Sequence, residues 1–267
     1  MSRPTYPSDL SDEQWKILHP LVPDAPPNPG TEPYERREIV NAILYVVRTG
    51  VQWRYLPHDL PNWHSAFAYF ARWRDDGTWE RIQEALRPKA RRASGRRSRA
   101  HLGIVDSQTA KTTESGGPRG YDGNKKMLGR KRHAIVDSLG LPITHTVTPA
   151  NVADSKAAPE VIQKAVEKEP DLAIVIGDKG YRGEPLQQKA RAIGVHFEAV
   201  GGDQTPGKFV PVKQRWKVER AFGWAGRNRR LSRDYERTIE SSESIMTIAS
   251  IGILLRRATP QIHREMG

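Results

Sequence analysis

The stretch Leu102-Gly103-Ile104-Val105-Asp106-Ser107-Gln108-Thr109 constrains this chain more than any other. Mostly apolar residues run straight into a carboxylate, and small polar residues follow. The pattern predicts a buried strand carrying an acid at its end. An ionised Asp beside a core is costly unless a cation sits next to it, so the strand implies a metal ion or an Arg or Lys partner. Two further acids stand where they could share that partner. Asp178 follows Ala173-Ile174-Val175-Ile176-Gly177, and Glu219 lies in Arg215-Trp216-Lys217-Val218-Glu219-Arg220.

Residues 102–109, 130–137 and 141–148 read as strands, the last two joined by a hairpin turn at Ser138-Leu139-Gly140. A helix over 155–168 with Asp154 as its N-cap follows, then a strand at 172–176, a helix at 184–193 and a strand at 195–200. Two more helices are predicted at about 215–229 and at 243–257. Antiparallel strands followed by alternating helices and strands give an α/β chain with a mixed sheet, in the order of a ribonuclease-H-like fold. Parallel neighbours would bring Asp106 and Asp178 to one edge, where such folds place ligands. Glu219 would reach in from the late helix. The chain has no Cys, so an all-carboxylate site suits hard ions such as Mg²⁺ or Mn²⁺. Two such ions about 4 Å apart can assist phosphodiester cleavage or transfer.

The first position has a rival. Ile135-Val136-Asp137-Ser138 repeats Ile104-Val105-Asp106-Ser107. Asp137 opens a hairpin turn, where Asp is common for backbone reasons and Asn would serve about as well, so Asp106 is preferred. Asp154 has the helix-cap explanation, and Glu198 could pair with a lysine. On spacing alone Glu219 is equally a surface ion-pair partner for Arg215, one turn earlier.

Upstream, residues 8–22 read as a short helix with a Ser11–Gln14 capping box, and the proline-rich segment that follows as a loop. A helix over 34–49 ends at Gly50, another begins after Asn62, and a fourth follows Thr78. Together they predict a helical module over residues 1–86. Helix, turn and helix fit a DNA reader with 63–74 as the recognition element, and equally a scaffolding or dimerisation bundle. The tract from Arg87 to Arg99 contains no acid. It reads as a linker over 87–100, or as the basic end of a helix, and leaves 101–267 as the catalytic domain.

Net charge is +12, which points to a polyanionic partner. Arg91, Arg92, Arg96 and Arg97 form one basic group. Lys125, Lys126, Arg130, Lys131 and Arg132 form a second, and Arg215, Arg220 and Arg227 lie around Glu219. Cations so outnumber acids in these runs that phosphate is the expected partner rather than internal pairing. No apolar stretch suggests a signal segment or membrane span, so a cytoplasmic protein with no membrane partner, working on the nucleoid, is expected.

At these residues the chain resembles the DDE transposases of bacterial insertion sequences, in the group named after insertion sequence five. Leu10-Ser11-Asp12-Glu13-Gln14-Trp15 and Tyr45-Val46-Val47-Arg48-Thr49-Gly50-Val51-Gln52-Trp53 look like that group's N-terminal half. Val105-Asp106-Ser107-Gln108, Gly177-Asp178-Lys179-Gly180-Tyr181 and Arg215-Trp216-Lys217-Val218-Glu219-Arg220 resemble its three catalytic blocks. The resemblance implies that Asp106, Asp178 and Glu219 hold divalent metal, a pair of Mg²⁺ or Mn²⁺ ions. It also implies a homodimer or higher oligomer acting on terminal inverted repeats and target DNA. In the wider signature Tyr-x2-Arg-x3-Glu-x6-Lys, Arg215 and Glu219 match. Val212 stands at the Tyr position and Gly226 at the Lys position, with Arg227 beside it. Two other functions stay open: a DNA-binding protein without catalysis, and a DNA endonuclease without strand transfer.

Overall fold

The computed structural model describes residues 3–23, 34–181, 183–200 and 216–259. The strand expected at 102–109 runs on as β1 (Leu102–Lys111) and occupies the middle of a mixed sheet. Beside it come β2 (Gly120–Asp122), β3 (Met127–Asp137), β4 (Pro142–Pro149), β5 (Ile174–Gly177) and β6 (His196–Ala199). β3 pairs antiparallel with β1 and with β4, while β5 runs parallel to β1 and β6 parallel to β5. Leaving aside the short β2, which pairs with the Met127–Gly129 end of β3, the spatial order is β4-β3-β1-β5-β6. This is the ribonuclease-H-like arrangement that the order of elements implies. β2 escapes sequence reading because three residues carry no alternation.

Alternation along the strands sorts side chains onto two buried faces. Val105, Ile135 and Ile143 point to one, where α5 (Asp154–Lys168) and α6 (Glu184–Ala192) supply Ala158, Val161, Ile162 and Leu186. Ile104, Ala134 and Val136 point to the other, against α7 (Trp216–Gly226) and α8 (Ile239–Ala258). α8 is buried along most of its length and apolar on nearly every side, as an interior helix must be. It starts earlier than the expected 243, because Ser241, Ser242 and Ser244, polar in sequence, are buried in its first turns. No helix among the described residues is long and apolar enough to cross a membrane.

The N-terminal helices are α1 (Asp12–Leu18), α2 (Arg36–Thr49), α3 (Trp63–Asp75) and α4 (Thr78–Ala93). The Ser11–Gln14 capping box and the Asn62 cap form as expected. Gly50, at φ +74°, closes α2 in the left-handed region that glycine enters without strain. α4 runs through Pro88 to Ala93, so the expected linker begins as helix. Its Leu86 and Ala90 join the same apolar core as Leu10, Ile43 and Trp73 upstream and Ile104, Val136 and Leu255 downstream. A helix-interior proline forfeits one hydrogen bond, and two buried ion pairs hold the helix beyond it. Arg87 Nε lies 2.5 Å from Glu169 Oε1, and Arg91 pairs with Asp137.

Candidate active site

The parallel register of β1 and β5 sets the site. Ile104 stands opposite Ile176; Asp106 lies two residues further along β1, and Asp178 directly follows the last residue of β5, Gly177. Both are half-buried. Asp106 Oδ1 accepts a hydrogen bond from the Ser107 N–H at 2.7 Å. Gly177, just before Asp178, is a close-approach glycine. A Cβ there would come within 2.9 Å of both Val105 Cγ1 and Phe197 Cζ, so the absence of a side chain lets β5 seat between β1 and β6.

A single helical turn, Lys179–Tyr181, follows β5. The Gly180 N–H donates to Asp178 Oδ1 at 2.8 Å. A Cβ on Gly180 would lie 3.0 Å from that oxygen and 3.8 Å from Asp154 Oδ2, so Asp154 faces the same spot. Tyr181 is 2 % exposed, and its hydroxyl has no hydrogen-bond partner among the described residues. Burial, and then the negative charges of Asp154, Asp106 and Asp178, push its ionisation well above the ordinary tyrosine range. The three carboxylates therefore stand within electrostatic reach of one buried phenol.

Asp154 is the residue that sequence reasoning missed. It is not the cap of α5, a position held by Ala153, but its first helical residue. Its carboxylate turns to the sheet, accepting from Ser107 Oγ at 2.9 Å, with Lys131 Nζ at 3.3 Å and His133 Nδ1 at 3.8 Å. Burial lowers His133 to about 4, so the imidazole is neutral at neutral pH. An acid at a helix start has a sufficient local explanation as a cap, and the register partner of Ser107, His133, is visible only in the folded sheet.

Glu219 lies on α7. Val218, Ala221 and Phe222 of that helix enter the core, while Glu219 is exposed. Lys217 Nζ donates to the Ser138 carbonyl at 2.5 Å and Arg220 to the Leu139 carbonyl at 2.9 Å, pinning the helix start to the β3–β4 hairpin. No group of three or more Asp, Glu or His side chains among the described residues is close enough to hold a metal ion. Asp106 thus lies on β1 and Asp178 just past the neighbouring β5, and Glu219 lies on α7. Their oxygen donors fit a hard divalent cation, whose charge would offset the repulsion between neighbouring carboxylates.

The rival Asp137 is fully buried. Its Oδ1 accepts from the Leu139 and Leu141 N–H groups, and its other oxygen pairs with Arg91.

Several expected phosphate contacts are corrected by burial. Arg91, Arg130, Lys131 and Arg132 are 5 %, 0 %, 8 % and 3 % exposed. Arg130 meets Asp234 at 3.1 Å and the carbonyls of Pro118, Glu236 and Arg237. Arg132 donates to the Leu231 and Arg233 carbonyls, and Lys131 to the Val152 carbonyl. Backbone oxygens, rather than acids, satisfy most of these cations. Arg92, Arg96, Arg97, Lys125, Lys126 and Arg227 are exposed. Arg220 stacks over the rings of Trp216 and Trp224, at 4.3 and 4.5 Å from their centroids. Arg215 and Val212 lie outside the described residues.

Residues 10–83 match the transposase family IS4/5, residues 97–198 match a transposase DDE domain, and residues 175–256 match a second profile of the same description. A 16.2 kDa insertion element IS402 protein of Burkholderia cepacia is 33 % identical over 90 residues, 32 % of this chain and 61 % of that protein. The chain thus spans less than two thirds of that relative. Among solved structures, the BIV integrase catalytic core domain is 14 % identical with a TM-score of 0.35, covering 57 % of this chain and 82 % of that one. A chain of the simian T-cell lymphotropic virus intasome, in complex with PP2A regulatory subunit B56 gamma, is 17 % identical with a TM-score of 0.32, covering 47 % and 38 %. Both superpositions are too loose to bear on the fold, which rests on the strand order.

Proposed function

We propose that the chain is a DDE transposase of insertion sequences, the kind of protein whose family models it matches, and that it cuts and joins DNA at the ends of its own element. In this reading it binds the terminal inverted repeats, hydrolyses the phosphodiester at each end, and transfers the resulting 3′-hydroxyl to target DNA. The observation that carries the reading is that Asp106 lies on β1 and Asp178 directly after β5, its parallel neighbour.

Asp106 and Asp178 would hold the divalent ion, with Glu219 as the third donor brought by α7. Mg²⁺ or Mn²⁺, when bound, supplies positive charge that steadies both the attacking and the leaving oxygen of an in-line displacement. The chain's own groups prepare the site. The Ser107 N–H fixes one oxygen of Asp106. Asp154 orients Ser107 through its hydroxyl and anchors Lys131. Hydrolysis and strand transfer displace the same kind of oxygen at phosphorus, so one constellation serves both. The N-terminal helices would read the repeats, and a dimer or larger assembly would pair the two ends.

The test uses DNA taken from the borders of the reading frame. Incubated with the protein, Mg²⁺ and a supercoiled target, such ends should be cleaved and then joined through their 3′-hydroxyls. Binding without cleavage would support a non-catalytic DNA-binding protein, and cleavage without joining an endonuclease.

A further inference from the structure

A second positively charged feature lies where α2, the end of α7 and α8 meet, and none of its residues is on β1 or β5. A cleft of about 350 Å³ there is lined by Arg48, Arg227 and Arg256, with Gly252 in its wall. A neighbouring hollow of about 250 Å³ is lined by Trp224, Arg227, Ile253, Arg256 and Arg257. Arg227 and Arg256 are common to both, so the two form one continuous crease.

Four guanidinium groups converge on it from three elements. Arg48 donates to the Arg227 carbonyl at 2.8 Å, tying α2 to the end of α7. Arg257 lies over the Trp224 ring at 5.1 Å, and Arg220 covers the same ring at 4.5 Å. Among the described residues none of Arg48, Arg227, Arg256 and Arg257 is paired with a carboxylate. The acid in the lining, Asp9, accepts at Oδ2 from Arg3 at 2.8 Å and from the Tyr6 N–H at 2.9 Å, while its buried Oδ1 has no partner among the described residues. Each of the four is exposed as a residue. Desolvation of the Arg256 guanidinium, and then the charges of Arg48, Arg227 and Arg257, weaken its hold on its proton.

Elsewhere in this protein crowded cations are neutralised by carbonyls and acids, as Arg130 and Arg132 are. Here the cations are held in place by a carbonyl, at helix ends and on an indole face, and no carboxylate is paired with them among the described residues. An arginine fork matches phosphate oxygens bidentately, and a row of such forks matches a chain of phosphates. We propose that this crease binds the sugar-phosphate backbone of duplex DNA, as a contact surface separate from the carboxylate edge. The inference rests on the transposase reading only in that DNA is the polyanion chosen.

The experiment measures duplex binding in EDTA across a salt series, so no chemistry intervenes. The probes are a duplex, a single-stranded RNA of the same length, and inorganic phosphate. In the variant Arg48→Gln/Arg256→Gln/Arg257→Gln, the slope of log K against log salt should fall by about 2.7, three contacts at about 0.9 each. The single variants Arg48→Gln and Arg257→Gln should each lose about 0.9. Arg48→Gln also removes the tie to the Arg227 carbonyl, so a melting curve checks that every variant is folded. Wild-type duplex binding with unchanged slopes in folded variants would overturn the proposal and leave the transposase reading standing. Saturable stabilisation by inorganic phosphate with unchanged duplex slopes would make the crease a small-anion site and also overturn it. So would a larger loss for RNA than for duplex. A wild-type protein that binds no DNA would overturn the transposase reading itself.

Discussion

Arg91, near the end of α4, and Asp137, at the end of β3, form an ion pair whose side chains are 6 % and 0 % exposed. The other oxygen of the same carboxylate accepts from the Leu139 and Leu141 N–H groups at 2.8 and 2.9 Å. Asp137 is therefore a turn residue and a buried anion at once. This is why the second copy of Ile-Val-Asp-Ser is structural. Asp137→Asn keeps the turn but leaves a buried guanidinium facing a neutral amide. We expect a loss of about 3 kcal/mol, the scale on which one partner of a buried pair matters. Replacing both partners with Arg91→Met and Asp137→Asn should recover part of it. Denaturant unfolding of the two variants checks this, and a silent Asp137→Asn would contradict it.

Two buried histidines set a pH dependence. Burial is the main cause that lowers His145 to about 3 and His133 to about 4, against about 6.5 when unfolded. Both are depressed, so the unfolded chain binds more protons between these values. Their contribution to stability is complete above about pH 6.5 and shrinks as pH falls toward 4 and 3. Each contributes a slope of up to about 1.4 kcal/mol per pH unit in that window. Melting temperature should fall from pH 6.5 to 4.5, and less steeply in His145→Gln than in wild type. Equal slopes in the two proteins would show that His145 is protonated in the fold.

Gly177→Ala tests how the two aspartates are aligned. The new methyl would press within 2.9 Å of both Val105 Cγ1 and Phe197 Cζ, shifting β5 and with it Asp178. A displacement of about 1 Å in a catalytic constellation can cost about 100-fold in rate. Cleavage should fall on that scale while DNA affinity stays within twofold. Wild-type cleavage would mean that the Asp106–Asp178 register is not critical.

Much of this arrangement is legible in the chain itself. The apolar run into Asp106, the short run before Asp178 and the hairpin at Ser138-Leu139-Gly140 are local patterns, and local patterns dictate strands and turns. What is not legible depends on partners far away in sequence. Arg130 and Arg132 look like phosphate ligands because no acid is near them. Most of their acceptors are carbonyls and an acid of residues 231–238, brought alongside β3 by the segment before α8. Likewise Arg87-Pro88 ends a helix by local rule, and only Glu169 and Asp137 explain why α4 continues. Asp154 was hidden for the opposite reason: its local explanation as a cap was sufficient, and it was wrong.

The basic tract splits accordingly. Arg92, Arg96 and Arg97 are exposed, whereas Arg91 is committed to Asp137. Replacing the first three with Ala should lower the salt slope of DNA binding by up to about 2.7 with little change in melting. Arg91→Ala should do the reverse, lowering the melting temperature and leaving the slope in place. A matched loss of slope in both would return Arg91 to the DNA surface.

The most direct measurement is cleavage of element-end DNA by wild type, Asp106→Asn, Asp178→Asn and Glu219→Gln, with Mg²⁺ and with EDTA, alongside binding of the same DNA. We expect cleavage only in wild type with Mg²⁺, a fall of at least about 100-fold in each variant, and DNA affinity equal to or tighter than wild type as repulsion with phosphate is relieved. Asp106→Asn or Asp178→Asn protein cutting at the wild-type rate, or wild type cutting fully in EDTA, would contradict the account.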